Sequence, residues 1–183
     1  NGAFLCENSW GTGFGKDGFF YVSYYDTNLG ATSLVYSGVE SADNYDAIYQ
    51  SDLCGWLGQI GYGSERIWAT NVYQATGTAQ KVQAVGFYAV DQNTEYEISI
   101  LKNVPEHPSD ADWKNLKRQK LGTTNGSVSY AGYYTIPLAE PVELEPGERF
   151  AVLVELKTPG AVHPMAIEYD SQDGRCRVDL TDG

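Results

Sequence analysis

The residues near the start of the chain that could do chemistry are an amide and an indole set among glycines, in the run Glu7-Asn8-Ser9-Trp10-Gly11-Thr12-Gly13-Phe14-Gly15. An amide oxygen can accept a hydrogen bond from one imidazole nitrogen and so fix the tautomer and orientation of that imidazole. An imidazole held in this way can take the proton of a cysteine thiol, and the resulting thiolate can attack a peptide carbonyl. Such chemistry needs a thiol and an imidazole as well as the amide.

The run resembles the asparagine motif of the papain-like cysteine peptidases, in which Asn-Ser-Trp-Gly is followed by Trp-Gly or a variant, a further Gly and an aromatic strand. Asp17-Gly18-Phe19-Phe20 continues the match. Phe14 stands where the family more often has Trp, a departure that concerns packing. The resemblance implies that Asn8 orients the catalytic histidine and that Trp10 covers the Asn–His hydrogen bond.

The other two members of such a triad have no match in this chain. The family order places the nucleophilic Cys at a helix start far upstream and the His a couple of strands before the Asn, so both would precede Asn1. Cys6 is two residues before Asn8 and is expected on the same strand, and Cys54-Gly55-Trp56 comes after Asn8, against that order. We therefore expect a full-length parent to be the peptidase and this chain alone to be inactive.

Length and composition favour a folded, mainly β protein that does not bind nucleic acid. The 183 residues suffice for one domain plus a fragment or for two small domains, and the content of 42% hydrophobic and 20% charged residues is ordinary for a globular protein. Tyr, Phe and Trp are abundant among many Gly, which favours strands and turns. The net charge of -12 would repel nucleic acid and anionic membranes, and no apolar run is long enough for a membrane span.

The cysteines and histidines do not indicate a metal site or a cofactor. Cys6, Cys54 and Cys176 are widely separated and odd in number, so one disulfide could form but not a disulfide framework. Only His107 and His163 could add imidazole ligands, and their spacing matches no zinc pattern. His163, beside Pro164, is expected in a loop or at a strand end.

The pattern along the chain predicts three parts: residues 1–44 as the last strands of a papain-like domain, residues 45–169 as a β-sandwich, and residues 170–183 as a tail leading to further sequence. The first part has a short apolar strand, a glycine-rich loop and the aromatic strand Phe19–Tyr24. A polar stretch follows, in which only Leu34-Val35-Tyr36 could form a further strand. A boundary is therefore expected near Tyr45.

Period-two alternation in the second part predicts antiparallel strands that each bury one face. The apolar residues on these faces are Tyr96, Ile98 and Ile100; Phe150, Val152, Val154 and Leu156; Val85, Phe87 and Ala89; and Tyr134, Ile136 and Leu138. Turn signals at Asn125-Gly126 and Pro146-Gly147 separate segments. This spacing is typical of an antiparallel β-sandwich of the jelly-roll kind.

One helix is expected, because Ser109 with Asp112 three residues later fits a capping box. Basic residues crowd its far end: Lys114, Lys117, Arg118 and Lys120. A docking patch for an anionic partner could be imagined, but complementation of the helix dipole explains the cluster better.

Short pieces of the second part resemble the lectin-like domain that follows the peptidase domain in secreted or surface peptidases of bacteria. These pieces run from Tyr45-Asp46-Ala47-Ile48-Tyr49-Gln50 through Trp68-Ala69-Thr70-Asn71-Val72-Tyr73 to Pro146-Gly147-Glu148-Arg149-Phe150. Sugar binding would need an exposed aromatic platform with carboxylates or amides beside it. The weak candidates are Trp56, Trp68 and Asn71, with Tyr62, Tyr73 and Glu65 beside them, although aromatic residues of a sandwich are more often core.

The hypothesis is a fragment of a secreted or cell-surface papain-like cysteine peptidase with an appended lectin-like targeting domain. Its partners would be a peptide or protein substrate for the parent and a carbohydrate or cell-surface ligand for the sandwich. A non-enzymatic carbohydrate-binding or adhesion module is the alternative, and a separate upstream piece that completes the triad after nicking is a third. Each version places the protein outside the cell.

Overall fold

The computed structural model describes residues 2–51 and 54–169. By its internal contacts the chain divides into two compact units, Asn1–Ala47 and Ile48–Gly183. All strand pairs within the described residues are antiparallel, and only one short helix accompanies them. The prediction of a mainly β, antiparallel fold is confirmed.

The first unit is built on one hairpin, in which β1 (Ala3–Glu7) pairs with β2 (Phe19–Ser23). Leu34, Val35 and Tyr36, where a further strand could have formed, form no strand and are 83%, 85% and 88% exposed. A strand needs a neighbour to satisfy its backbone groups. Among the described residues no segment pairs with these three, and their apolar side chains alone do not make a strand.

The second unit contains eight strands and one helix in its described residues. They are β3 (Gly58–Ile60), β4 (Arg66–Gln74), β5 (Gln80–Ala89), β6 (Thr94–Lys102), α1 (Asp110–Leu116), β7 (Leu121–Val128), β8 (Gly132–Leu144), β9 (Arg149–Lys157) and β10 (Met165–Ile167). A four-stranded sheet has the order β4-β9-β6-β7, and β5 pairs with β8 in a second sheet. A short β10-β3 pair completes the unit.

The two larger sheets face each other across one hydrophobic core. The four-stranded sheet supplies Ile98, Ile100 and Leu156, each 0% exposed, and the β5–β8 sheet supplies Phe87 and Leu144 to the same cluster. These side chains come from alternate positions, as period-two patterning requires. The β6 and β9 segments, which alternate alike, are neighbours in a single sheet, whereas the β5 and β8 segments form the layer opposite.

The outer face of the four-stranded sheet is covered at one end only. There α1 lies over a second cluster, in which Trp113 and Leu116 pack on Leu101, Ala151 and Leu153. The predicted capping box is present, because the Ser109 hydroxyl accepts from the Asp112 N–H and the Asp112 carboxylate accepts from the Ser109 N–H. The part of this outer face that α1 covers is therefore buried, and the part beyond α1 is open.

The Asn125-Gly126 pair lies inside β7, so the prediction of a turn there was wrong. Gly126 is the register partner of Tyr96 on β6, and a Cβ at this position would lie 2.5 Å from the Tyr96 hydroxyl oxygen. The glycine therefore makes room for a cross-strand aromatic ring and does not reverse the chain. The predicted Pro146-Gly147 turn is confirmed, with Gly147 at φ 77° between β8 and β9.

Loss of the helix cap should destabilise the second unit measurably. Ser109→Ala leaves the Asp112 N–H without its acceptor, and such replacements cost about 1 kcal/mol. We expect this loss in the free energy of unfolding from urea titration at pH 7. Ser129→Ala, in the exposed connection between β7 and β8, is the matched control and should change the stability little; equal effects of the two substitutions would contradict the capping role.

The same cap should make stability depend on pH in acid. The hydrogen bonds from the Ser109 side chain and backbone lower the pKa of Asp112 below its ordinary 3.8. Because this pKa is lower in the folded state, the charged carboxylate stabilises the fold above pH 3.8, and that contribution is lost as the pH falls through the lowered value. Asp112→Asn should therefore lower Tm at pH 7, and the difference from the parent should shrink in acid. A difference in Tm that does not change with pH would contradict this role of the Asp112 carboxylate.

Candidate functional site

Asn8 begins the loop that closes the β1–β2 hairpin, and the backbone of this loop is closely tied together. The Asn8 N–H donates to the Gly18 carbonyl at 3.0 Å, and the Asn8 Oδ1 accepts from the Ser9 N–H at 2.7 Å. Gly15 has φ 57°, and a Cβ there would lie 2.3 Å from the Phe19 carbonyl oxygen. The loop conformation therefore requires glycine at this turn and holds Asn8 at its base, half-buried.

An aromatic stack fixes the position of Trp10. Its ring lies 5.0 Å from that of Phe14, and the Phe14 ring lies 5.6 Å from that of Phe20, both edge to face. Such pairs contribute about 0.5–1.5 kcal/mol beyond burial. Phe14 thus does the packing expected of the Trp that the motif more often has. Trp10 itself remains 73% exposed, so its indole is available to cover a neighbouring group.

The hairpin exposes apolar side chains on both of its faces. Leu5 and Tyr21 are register partners on one face and are 59% and 72% exposed, and Phe4 on the other face is 49% exposed. An isolated two-stranded hairpin is marginal in water, and a contiguous exposed apolar surface marks a packing site. The first unit therefore leaves apolar surface exposed on each face of its hairpin.

The thiols and imidazoles of the described residues do not form a catalytic pair. Cys6 lies within β1 and Cys54 in the second unit; both are free. A hydrogen bond to Glu168, then partial desolvation, then the charge of Glu168 raise the pKa of Cys54, which disfavours the thiolate that a nucleophile needs. His107 and His163 are exposed, and Cys176 lies outside the described residues.

No three or more Cys, His, Asp or Glu side chains come together as a metal site within residues 2–51 and 54–169. Over the same part of the chain, no helix is long and apolar enough to cross a membrane.

The open end of the outer sheet face carries two cross-strand rows of polar and aromatic side chains. Strand register places Trp68, Glu155, Glu97 and Asn125 side by side across β4, β9, β6 and β7. The next row along the strands, away from α1, is Arg66, Lys157, Glu95 and Ser127. We call these eight residues the outer-face rows.

Ion pairs and one indole hydrogen bond organise the outer-face rows. Glu155 accepts from Arg66 Nη1 at 2.5 Å and from the Trp68 indole Nε1 at 2.8 Å, and it is only 18% exposed. Lys120, which follows α1, pairs with Glu97 at 2.5 Å, and Lys157 pairs with Glu95 at 2.9 Å. An open depression of about 420 Å³ is lined by all of the outer-face rows except Trp68.

A family model for the lectin-like domain matches residues 48–183, about three quarters of the chain. The chain belongs to the lectin-like domain family. No curated protein matches it.

Two solved structures are similar to nearly the whole chain. One shows the cysteine protease and lectin-like domains of Cwp84, a surface layer associated protein of Clostridium difficile, with 23% identity and a TM-score of 0.65 over 96% of this chain and 37% of that one. The other is the clostridial cysteine protease Cwp84 after propeptide cleavage, with 24% identity and a TM-score of 0.63 over 93% and 41%. At these identities the likeness establishes the fold, and the chain spans about two fifths of either structure.

The structure separates the sugar-binding candidates of the lectin-like domain. Trp68 is 52% exposed on the outer face, whereas Asn71 is directed to the opposite side of β4, where its amide donates to the Ser51 hydroxyl. Trp56 is half-buried, with its ring 6.3 Å from that of Tyr88.

The neighbours of these candidates are equally scattered. Tyr73 packs on Phe150 at 5.7 Å, Glu65 accepts from the Gly160 N–H at 2.7 Å, and Tyr62 is 85% exposed near β3. Of the six, only Trp68 belongs to the outer-face rows.

Sequence reasoning did not identify the polar partners of Trp68 in the lectin-like domain. The alternation of β6 and β9 puts Glu97 and Glu155 on the faces opposite the apolar residues of their strands. Only the register of β6, β9 and β7 brings these two carboxylates and Asn125 into one row. Asn125 was not among the candidates because the Asn125-Gly126 pair was predicted to form a turn.

Removing the charge of Glu168 should make the Cys54 thiol more reactive. Glu168 raises the pKa of Cys54 first through its hydrogen bond and also through its charge; Glu168→Gln weakens the acceptor and removes the charge, so it should increase the thiolate fraction and the rate of iodoacetamide alkylation at pH 8. The rate is followed by peptide mass spectrometry, with Cys6 in the same sample as an internal reference. Glu106→Gln, an exposed carboxylate in the β6–α1 connection, is the control and should leave the rate unchanged. Equal rates for parent and Glu168→Gln would contradict this electrostatic account.

Proposed function

We propose that this chain is a portion of a papain-like cysteine peptidase, comprising the asparagine end of its catalytic domain and its lectin-like domain. In this proposal Asn8 orients the imidazole of a histidine outside the chain, and Trp10 keeps water from the Asn–His hydrogen bond. The thiol nucleophile also lies outside the chain. The lectin-like domain binds a carbohydrate or another cell-surface ligand and so holds the peptidase at the surface that carries this ligand.

The observation that carries the proposal is the Asn8 loop on a hairpin with two exposed apolar faces. Leu5 and Tyr21 would be buried if the hairpin packed within a complete catalytic domain, which also explains why the first unit has so little core of its own. The fold likeness to structures described as a cysteine protease with lectin-like domains supports the same arrangement. The description of that protein as surface layer associated supports an extracellular location.

A non-enzymatic binding module is the second candidate. It is favoured by the self-sufficient core of the lectin-like domain, in which two sheets bury Ile98, Ile100 and Leu156 completely. A domain with its own core can bind a ligand without the first unit. Carbohydrate binding by a native protein that lacks any upstream catalytic segment would favour this candidate over the first.

The 183-residue chain alone should hydrolyse no peptide. A triad without its nucleophile and base has no route to a thioester intermediate, and the raised pKa of Cys54 disfavours a substitute. The measurement is hydrolysis of a fluorogenic peptide library in the presence of a reducing agent. Thiol-dependent turnover that disappears in Cys54→Ala would overturn the proposal.

The same proposal predicts that the full-length protein is active and that its activity depends on Asn8. Asn8→Ala in the full-length protein should lower kcat/KM by about 100-fold, because an imidazole that is no longer oriented loses at least the lower end of what general-base catalysis contributes, and should shift the pH dependence of the rate. Tyr62→Ala, an exposed residue outside the first unit, is the matched control.

An upstream coding sequence without a Cys-Trp helix start and a later His would exclude the peptidase assignment. Intact-mass analysis of purified material would reveal an upstream piece that remains bound after nicking.

A further inference from the structure

The outer-face rows place two carboxylates opposite each other on an open sheet surface. Register places Glu155 directly opposite Glu97, and like charges directly opposite each other destabilise a sheet. Each carboxylate has its own cation, Arg66 for Glu155 and Lys120 for Glu97. Ion pairs at a partly solvated surface contribute little to stability, so the arrangement is not explained by folding alone.

Trp68 is held in this surface by a single polar contact. Its indole Nε1 donates to Glu155 at 2.8 Å, and the side chain remains 52% exposed although it lies on a regular strand. A ring fixed in this way presents its apolar surface to a ligand with little further loss of conformational freedom. An exposed, oriented indole beside carboxylates and an amide has the parts required to bind a sugar ring.

We propose that the outer-face rows bind a neutral oligosaccharide, with Trp68 stacked on the apolar face of one pyranose ring. Glu97 and Asn125, which continue the row across β6 and β7, accept hydrogen bonds from hydroxyls of the same or the adjoining sugar. Arg66 donates to a ring or hydroxyl oxygen. This inference rests on the proposed role of the lectin-like domain as a binding domain and assigns the surface and the ligand class.

The balanced charge of the surface fits a neutral ligand. The cations Arg66, Lys157 and Lys120 balance the anions Glu155, Glu95 and Glu97. A surface without a net charge gives no Coulombic preference to an anionic or a cationic ligand. The net charge of -12 on the whole chain further disfavours anionic polymers such as acidic polysaccharides.

The dimensions suit a short chain of sugars. Four adjacent strands separate Trp68 from Asn125 by about 14 Å, from the usual spacing of 4.7–4.9 Å between neighbouring strands. This distance exceeds the width of one pyranose ring. The depression of about 420 Å³ is lined by Glu155, Glu97 and Asn125 of this row, and Trp68, which bonds to Glu155, lies next to it in register.

The test measures binding of the full chain to an array of neutral hexose and N-acetylhexosamine oligosaccharides and of acidic oligosaccharides, followed by calorimetry with the best neutral ligand. We expect Trp68→Ala to weaken binding by about tenfold or more. Asn125→Ala, in which Trp68 is unchanged, should also weaken binding. Asn125 is exposed on the edge strand β7, so its variant tests the site even where the Trp68 variant is less stable.

Two controls separate the outer-face rows from other surfaces. Tyr62→Ala removes an exposed aromatic elsewhere in the lectin-like domain, and Asn71→Ala removes an amide on the opposite side of β4. Both variants should bind like the parent, with folding checked by circular dichroism and Tm.

The outcomes distinguish this inference from the proposed function. Neutral glycan binding that survives Trp68→Ala and Asn125→Ala would overturn the assigned surface and leave the lectin-like domain as a carbohydrate-binding domain. Preferential binding of acidic oligosaccharides would overturn the assignment of a neutral ligand. Binding of no oligosaccharide would overturn the inference together with the carbohydrate role, while the peptidase part of the proposed function is tested separately through Asn8.

Discussion

Alternation along β6 and β9, the central strands of the four-stranded sheet, is the constraint on which the second unit depends. Even-numbered side chains such as Ile98 and Leu156 enter the core against the β5–β8 sheet, so the odd-numbered ones must face outward. At one end these outward residues are Leu101 and Leu153, which α1 covers. At the other end they are charged, and no described element covers them.

That division separates stability from the proposed ligand binding within one sheet. The inner face and the helix-covered end hold the strands in register, since their burial provides the hydrophobic stabilisation. The open end can then carry Glu155 opposite Glu97, an arrangement that costs stability and is offset by Arg66 and Lys120. A rigid sheet with an oriented Trp68 is a suitable platform because the side chains are held by strands and not by loops.

The first unit shows the opposite balance. Its loop is well defined, since Gly15 and the Trp10–Phe14 stack hold the base at which Asn8 lies. Its hairpin, however, exposes Tyr21 and Leu5, and two strands alone bury too little apolar surface for independent stability. Under the proposed function, this geometry would hold Asn8 as one positioning residue, and the thiol and the imidazole would lie outside the chain.

The sequence by itself determined the kind of fold, the capping box at Ser109 and the loop that carries Asn8, because these follow from local patterns of alternation, capping and glycine placement. It misassigned Asn125 to a turn, because the same Asn-Gly pair suits a turn or a strand that must accommodate a ring, and only the position of Tyr96 distinguishes the two. The outer-face rows were decided by tertiary structure alone. Residues as distant along the chain as Trp68 and Glu155 become neighbours through strand register, which depends on the whole core.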